Sequence, residues 1–306
     1  MDFVIKTEDL CRQFGEKHAV TNLNLNIPKG AVYGFLGPNG AGKTTTIRML
    51  LGLARPSSGQ AWVLGERIST TDARYLNKVG FLPDVPHYYN WMRGEEFLLL
   101  VGEMFKIPRP ELKIRVADLL ATTGLKGVKT RIGGFSRGMK QRLGLAQALI
   151  NKPDLIFLDE PTSALDPIGR KEVLEAIATM AQNCTVFFST HILSDVERIC
   201  DRVGILKEGQ LVREETIHDL RSQFAQSAVS IEVAGNAEPL LEALKEQKWS
   251  QFVELSGEKI RVTAYDLTLA QREIPGLVSS LGLGLKRFEP VELNLEDIFV
   301  KLVNGQ

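Results

Sequence analysis

Residues 37–45 read GPNGAGKTT, with the apolar run AVYGFL (31–36) before them and the helix-like TIRMLLG (46–52) after them. The spacing of Gly37, Gly42, Lys43 and Thr44 fits the P-loop pattern. Glycines there let backbone N–H groups turn inward on a phosphate, the lysine supplies positive charge, and the threonine hydroxyl can ligate magnesium. Glycine turns without a ligand are common, but they seldom carry a lysine and two threonines at these offsets. We therefore predict a nucleotide site formed by Gly37, Pro38, Asn39, Gly40, Ala41, Gly42, Lys43, Thr44 and Thr45.

Composition narrows the class of protein. The 306 residues contain 37 Lys plus Arg and 37 Asp plus Glu, so the formal net charge is zero and a surface for polyanions is not the expected main feature. Cys11, Cys184 and Cys200 form no CxxC pair, which suits a reducing compartment and buried thiols. We expect no secretory signal at the N-terminus. Because apolar runs are far shorter than about 18 residues, a membrane role requires a separate partner subunit.

The order of predicted elements indicates an α/β chain with two domains. Short strands are predicted before residue 37, and the alternation of Leu23, Leu25 and Ile27 with asparagines marks one of them as half-buried. A helical insertion follows at about 88–150, and buried-type strands at 155–158 and 185–189 flank a helix at 167–181, as in a parallel sheet. A hairpin at 204–212 closes this first domain near residue 220.

The remaining segment, 228–306, has a different pattern. Its predicted order is βαββαβ, a small split-βαβ sandwich. An amphipathic helix is then predicted after Asn294, with apolar residues at helical spacing from Leu295 to Val303. No catalytic grouping is evident there, so a packing or docking module is favoured over a second active site.

Two acids follow the apolar run 155–158, namely Asp159 and Glu160. The carboxyl ends of parallel strands face the crevice where ligands bind. Beside a phosphate site, we expect Asp159 to hold hydrated magnesium and Glu160 to act as general base on an attacking water. The alternative is an acidic pair that merely begins the next loop.

Four further segments resemble the ATP-binding-cassette (ABC) family in order and spacing. Residues 135–139, FSRGM, followed by KQRL, resemble the signature motif LSGGQ, and 163–166, SALD, resemble the D-loop. His191 matches the switch histidine, and Phe14 lies at the usual distance upstream to stack on adenine. The resemblance covers residues 1 to about 218. The segment 228–306 looks, more loosely, like the extra C-terminal domain on nucleotide-binding subunits of ABC-2-type exporters.

The resemblance implies roles in a dimer. A signature segment formed by Ser136, Arg137, Gly138 and Met139 would contact the γ-phosphate bound by another subunit, although Ser136 also fits a helix N-cap. His191 would hydrogen-bond the γ-phosphate. Asp166 would organise the dimer interface or serve as a turn or cap, and Phe14 would stack on adenine or lie in the core.

This chain departs from the family pattern at two places. Arg137 and Met139 stand where the family has glycine and glutamine, whereas the serine and the second glycine are retained. Asp84 stands after Leu82-Pro83 where the family commonly has glutamine. An aspartate is shorter and charged, so it either contacts magnesium and water or serves only as a hinge toward the helical insertion.

The implied protein is the ATPase subunit of an ABC-2-type exporter. Its fold would be an α/β P-loop NTPase (RecA-like) core with an antiparallel β subdomain and the helical insertion in 1–220, plus a small α+β domain in 228–306. The resemblance implies ATP and magnesium, a second copy of the chain, a separate membrane permease, a place on the cytoplasmic face of the membrane, and no nucleic acid. A soluble cassette protein acting on DNA or ribosomes is the main rival, and a P-loop kinase or GTPase is a third class.

An aromatic cluster, HYYNWM at 87–92, lies directly after Asp84. Aromatic side chains fill protein cores more often than they mark binding sites. The cluster therefore either packs inside the helical insertion or forms a docking surface for a short helix of the membrane subunit.

Overall fold

The computed structural model describes residues 3–69, 74–163, 165–224, 228–257 and 259–291, and it divides into two compact units, Met1–Ile217 and His218–Gln306. In chain order, the elements up to the junction are β1 (Phe3–Phe14), β2 (Lys17–Pro28), β3 (Val32–Leu36), α1 (Lys43–Leu50), β4 (Ser58–Val63), β5 (Glu66–Arg67), β6 (Val79–Leu82), α2 (Gly94–Met104), α3 (Arg109–Thr122), α4 (Arg137–Ala148), β7 (Leu155–Asp159), α5 (Pro167–Ala181), β8 (Thr185–Thr190), α6 (Leu193–Ile199), β9 (Arg202–Lys207), β10 (Gln210–Thr216) and α7 (Ile217–Phe224). Short 3-10 turns occupy Arg74–Lys78 and Ile132–Gly134.

A six-stranded sheet forms the centre of the first unit, in the order β10-β9-β3-β8-β7-β6. The strands from β9 to β6 run parallel, and only β10 is antiparallel to its neighbour. Every residue of β3, β7 and β8 is buried, as continuous apolar runs in a parallel sheet require. The predicted α/β class is therefore confirmed, as is the helix between β7 and β8.

A second, antiparallel sheet has the order β2-β1-β4-β5. Leu23, Leu25 and Ile27 are buried between exposed asparagines, which confirms the period of two. The prediction of short strands was wrong, because β1 and β2 have 12 residues each. The pairing continues through an irregularity at which the amide of Asp9 donates to Asn24 Oδ1 at 2.9 Å, so side chains satisfy the locally displaced backbone.

The helical insertion consists of α2, α3 and α4 around an apolar cluster that includes Phe97, Leu112 and Leu143. Helix α4 begins at Arg137. Ser136 is its N-cap, and the Ser136 Oγ accepts the amide of Met139 at 3.2 Å. A serine in this position satisfies one of the N–H groups that a helix leaves unpaired, which is why the helix starts there.

The second unit contains β11 (Ala228–Ala234), α8 (Glu238–Lys245), β12 (Ser250–Ser256), β13 (Lys259–Ala264), α9 (Leu267–Ser280) and β14 (Gly284–Val291). The predicted order βαββαβ is confirmed, and the strands form an antiparallel sheet in the order β12-β13-β11-β14. Both helices pack on it through a core that includes Ile231, Val262, Leu244 and Ile274. The helix predicted at Leu295 to Val303 lies outside the described residues. Of the helices within the described ranges, none has the length and apolar character to cross a membrane.

Phe187 lies at the centre of the first unit and gives a test of this core. It is fully buried, and its ring centroid lies 5.1 to 5.5 Å from those of Tyr33, Phe35 and Phe157. We expect Phe187→Ala to lower the free energy of unfolding by about 3–5 kcal/mol, because the cavity left by a phenyl ring is only partly refilled. Urea unfolding followed by circular dichroism measures this. The matched change Phe105→Ala, at a residue 40% exposed, should cost less than half as much; equal costs would contradict the assignment of the core.

Candidate functional site

The ends of three neighbouring strands bring the candidate residues together. In the parallel register, Leu36 at the end of β3 lies beside Thr190 of β8, and Asp159 at the end of β7 lies beside Ser189 of β8. The amide of Gly37 donates to the carbonyl oxygen of Thr190 at 3.2 Å. The glycine loop, the two acids and the segment carrying His191 therefore begin at one edge of the sheet.

The glycines of the loop are required by close backbone contacts. A Cβ on Gly37 would lie 2.4 Å from the carbonyl oxygen of Leu206, and one on Gly42 would lie 2.4 Å from that of Ala19. Gly42 also has φ 107°, which favours glycine, and it is the N-cap of α1. Helix α1 thus begins at Lys43, and the N–H groups of its first turn, which have no partner within the helix, form an anion-binding end.

The Glu160 carboxylate lies between the side chains of Lys43 and His191. Its Oε1 is 3.1 Å from Lys43 Nζ, and its Oε2 is 2.8 Å from His191 Nδ1. Lys43 Nζ also donates to the carbonyl oxygens of Gly37 at 2.7 Å and Pro38 at 3.1 Å. The Lys43 and Glu160 side chains are 5% and 10% exposed, so each compensates a charge that burial would otherwise penalise. Glu160 has φ 48°, an unusual backbone conformation of the kind found at functional sites.

Asp159 is held by two hydroxyl groups. Its Oδ1 accepts from Ser189 Oγ at 2.6 Å and from Thr44 Oγ1 at 3.1 Å. Burial raises the pKa of Asp159 above its ordinary value of 3.8; the two hydroxyl donors oppose this rise, and the charges of Glu160 and Asp84 add to it. A buried carboxylate beside a hydroxyl supplies the hard oxygen ligands that magnesium prefers. Within the described ranges, no group of three or more His, Cys, Asp or Glu side chains is arranged to hold a metal ion.

Lys43, Thr44 and Glu160 line a cavity of about 370 Å³ beside the glycine loop. Its wall also includes Phe14, Lys17 and Asp84. Phe14 is 50% exposed, so it does not belong to the core, and the guanidinium carbon of Arg12 lies 4.3 Å from its ring centroid. An exposed aromatic ring at the mouth of a phosphate cradle offers a surface on which a flat base can stack.

Two residues of the signature and D-loop segments cap helices, and two others contact Asp84 in the cavity wall. Ser136 caps α4, and Asp166 caps α5 by accepting the amide of Gly169 at 3.2 Å. The interpretation of Ser136 and Asp166 as helix caps is therefore confirmed. Capping is compatible with a further role of either residue in a dimer. Ser163 Oγ donates to Asp84 Oδ1 at 2.9 Å, and Arg137 Nη2 lies 3.7 Å from the same oxygen.

The sequence interpretation missed two groups of residues. Ser189 is fully buried, donates to Asp159 and accepts the amide of Glu160 at 3.1 Å. A serine that ends an apolar strand next to the acid-bearing strand was the available signal. The second is Asp195, fully buried, which accepts from Thr162 Oγ1 at 2.5 Å and from Arg170 Nε at 2.6 Å. This pairing joins the segment after Glu160 to the helix after His191, and no sequence spacing indicates it.

The cysteine prediction was partly wrong. Cys184 and Cys200 are buried as expected, and all three cysteines are free, but Cys11 is only partly buried. Burial raises the pKa of the Cys184 thiol to about 11. Cys11 Sγ instead lies in the irregular part of β1, where it accepts the amide of Asn22 at 3.2 Å.

Comparison with known proteins gives a consistent result. A family profile described as ABC transporter matches residues 20–163. The chain is 38% identical to the bacitracin transport ATP-binding protein BcrA of Bacillus licheniformis over 100% of this chain and 99% of that one. It is 32% identical to the linearmycin resistance ATP-binding protein LnrL of Bacillus subtilis over 98% of each chain.

Solved structures agree on the fold. The ATP-binding subunit of an ABC transporter superposes with TM-score 0.65 at 29% identity, covering 72% of this chain and 93% of the other. A dimeric ATP-binding cassette solved in a post-hydrolysis state with ADP and Pi has TM-score 0.63 at 24% identity, covering 70% and 98%. At that identity the second likeness concerns the fold alone.

The environment of Asp159 predicts that its buried negative charge lowers the free energy of unfolding. Because its folded pKa is raised, the folded chain binds more protons than the unfolded chain between pH 3.8 and that raised pKa, so the free energy of unfolding falls as pH rises through this window. Asp159→Asn keeps the oxygen that accepts both hydroxyl groups and removes the buried charge. We expect its Tm to exceed that of the parent by a few degrees at pH 7.5, with a smaller difference at pH 4. The control Asp154→Asn, at an exposed residue, should change the Tm little. A Tm of Asp159→Asn below that of the parent at pH 7.5 would refute the destabilisation by the buried charge.

Proposed function

The chain belongs to the ABC transporter family as an ATP-binding subunit with ATPase activity, and on that premise we propose that two copies bind ATP between them and drive export through a separate membrane subunit. We also propose roles for the individual residues, for magnesium and for the partners. Each is part of this proposal.

The contact that carries the proposal is Glu160 between Lys43 and His191. A general base must lie within hydrogen-bond reach of the water that it activates and be oriented by a neighbour. In the proposed reaction, Glu160 accepts a proton from water while the water oxygen attacks the γ-phosphorus and the bond to the β–γ bridging oxygen breaks. Lys43 stabilises the outer phosphates, and His191 fixes Glu160 through the 2.8 Å contact and orients the γ-phosphate.

Magnesium fits the pair formed by Thr44 and Asp159. Thr44 Oγ1 lies 3.1 Å from Asp159 Oδ1, and Ser189 Oγ donates to the same carboxylate oxygen. When bound, the ion would neutralise charge on the phosphates and position them. The residues that act on the nucleotide base and phosphates are Phe14, which stacks on adenine, and the loop of Gly37, Pro38, Asn39, Gly40, Ala41, Gly42, Lys43, Thr44 and Thr45.

A second subunit completes the site. The chain has one phosphate cradle and one signature segment, and each is useful only opposite the other, so a head-to-tail pair with two ATP molecules is the closed arrangement that uses both. Ser136 and the Gly138 amide, at the start of α4, would bind the γ-phosphate held by the partner. Arg137 and Met139 flank them, and Asp166 would lie at the interface.

The membrane component is proposed to be a separate permease, with this chain on its cytoplasmic face. Relatives named for bacitracin transport and linearmycin resistance support export as the direction of transport. The formal net charge of zero supports a protein rather than a nucleic-acid partner. Residues 228–291 form a packed sandwich, and its proposed role is that of a packing or docking module.

The aromatic cluster 87–92 divides into two sets. Tyr88 packs edge-to-face on Phe97 with centroids 5.1 Å apart and donates to the carbonyl oxygen of Lys140 at 2.8 Å, while Met92 packs against the same core. Tyr89 and Trp91 are 49% and 66% exposed, with their rings 5.0 Å apart. Only these two exposed rings are proposed to contact the membrane subunit.

Glu160→Gln tests the base directly. We expect ATP hydrolysis to fall by roughly two to four orders of magnitude, because a positioned general base contributes about that much, while ATP binding is retained. Dimers should then accumulate with ATP in gel filtration. The control Glu175→Gln, on the exposed face of α5, should hydrolyse ATP at the parent rate. A Glu160→Gln enzyme with near-parent activity would remove Glu160 from this role.

The exposed rings give a second test. Replacing Tyr89 and Trp91 together by serine should leave ATPase activity and Tm almost unchanged, because both rings are largely in solvent, and should abolish copurification with the membrane subunit from a mild-detergent extract. Ile114→Ser, which is 67% exposed on α3, is the matched control and should copurify normally. Tyr88→Ser should instead lower the Tm by many degrees. Normal copurification of the Tyr89 and Trp91 variant would exclude this surface.

A further inference from the structure

Asp84 lies between the nucleotide cavity and the start of the signature helix. It lines the cavity beside the glycine loop, and it also lines a neighbouring cavity of about 360 Å³ with Arg137, Lys140 and Gln141 of α4. Its charge adds to the rise in the pKa of Asp159. One carboxylate is therefore in electrostatic range of the proposed magnesium ligand and of the signature segment.

Helix α4 contacts Asp84 at two points. The buried Gln141 Nε2 donates to the carbonyl oxygen of Asp84 at 2.8 Å and fixes the backbone. The carboxylate Oδ1 accepts from Ser163 at 2.9 Å, and Arg137 Nη2 lies 3.7 Å from that oxygen and 3.4 Å from Ser163 Oγ. Ser163 Oγ thus contacts both charged groups, and Ser163 comes from the D-loop segment.

The charges of Asp84 and Arg137 are each unfavourable without the other. Arg137 is the first residue of α4, where the positive end of the helix dipole disfavours a cation, and the first turn contains no acid. Asp84 adds negative charge beside two buried carboxylates. Both side chains are nearly half exposed, so the ion pair alone would contribute little. The bond from Gln141 and the hydroxyl of Ser163 fix the geometry in advance and make the pair effective.

We propose that Asp84 and Arg137 are a matched pair of positioning residues that, with Ser163, hold the first turn of α4 at the edge of the nucleotide cavity. The departures from the family pattern at Asp84 and at Arg137 are then one feature. Because Ser136 caps this turn, the position of the signature serine depends on a carboxylate beside the chain's own nucleotide. This role rests on the proposed function, since filling of the cavity changes the field at Asp84 and so acts on Arg137.

A double-mutant cycle on the full chain without nucleotide tests the pair. The variants are Asp84→Asn, Arg137→Gln and the double change, and the measurement is hydrogen exchange of the backbone amides in 137–141. We expect each single change to speed exchange about two- to five-fold, as loss of a weak ion pair allows, and the double change to add nothing beyond the larger single effect. Arg137→Lys, which keeps the charge, should stay within about two-fold of the parent.

The matched control uses another ion pair of the same helix. Arg142 Nη1 lies 3.4 Å from Glu172 Oε2, and neither residue contacts Asp84. Arg142→Gln and Glu172→Gln should leave exchange in 137–141 unchanged. Independent, multiplying effects of the Asp84 and Arg137 changes, or an Arg137→Lys variant that behaves like Arg137→Gln, would overturn the proposal.

A second arm adds magnesium and ATP, with nucleotide binding measured separately by titration of a fluorescent ATP analogue. At a protein concentration at which gel filtration with ATP shows only the monomer, so that no partner covers the signature segment, exchange in 137–141 should change on binding in the parent and not in Asp84→Asn. A parent that binds ATP without any change in this segment would overturn the reporting role alone. A parent that binds no nucleotide would overturn the proposed function and the reporting role together, while the nucleotide-free cycle still decides whether the two residues are coupled.

Discussion

The parallel register of β3, β8 and β7 is the constraint on which the candidate site depends. Asp159 lies beside Ser189 and Leu36 beside Thr190, so the glycine loop, the acids and His191 leave the sheet at one edge. A slip of one residue would turn the side chains of a strand to its opposite face. Because these strands are wholly buried, their packing fixes the register strongly, and Phe187 contacts aromatic rings from both neighbouring strands.

Buried charge at that edge has to be compensated within the site. Lys43 and Glu160 neutralise each other, and hydroxyl groups of Ser189 and Thr44 serve Asp159. The compensation of Asp159 is incomplete, as the raised pKa of its carboxyl shows. Charge that disfavours the folded chain is also what would attract a metal ion and phosphates, so binding would relieve a cost that folding incurs.

Charges at the start of α4 also compensate each other. Arg137 places a cation at the first residue of a helix, and Asp84 adds a third carboxylate near Asp159 and Glu160. Each charge is unfavourable alone, and the two groups lie 3.7 Å apart. Ser163 and Gln141 give this exposed pair a fixed geometry. The signature helix, the D-loop and the loop after β6 thereby meet at one carboxylate, although they are far apart in sequence.

The sequence by itself determined the phosphate loop, the α/β class and the order of elements in the second unit. These depend on short-range signals, namely glycines at fixed offsets, fully apolar runs and alternating strands. It also identified Asp159 and Glu160 as candidates, because two acids directly after a buried strand are a local pattern, whereas His191 was identified from the resemblance to the ABC family. The length of β1 and β2 could not be predicted from the sequence, because the strands stay paired through irregular positions at which the alternating sequence pattern stops.

Only the tertiary structure decided which side chains meet. Ser189 on Asp159, Glu160 between Lys43 and His191, Asp195 beneath Thr162 and Arg170, and Asp84 near Arg137 each join residues from different elements. It also divided the aromatic cluster into packed Tyr88 and exposed Trp91. Such contacts follow from strand register and helix packing over long sequence separations, and local residue patterns carry no information about a partner that only folding brings near.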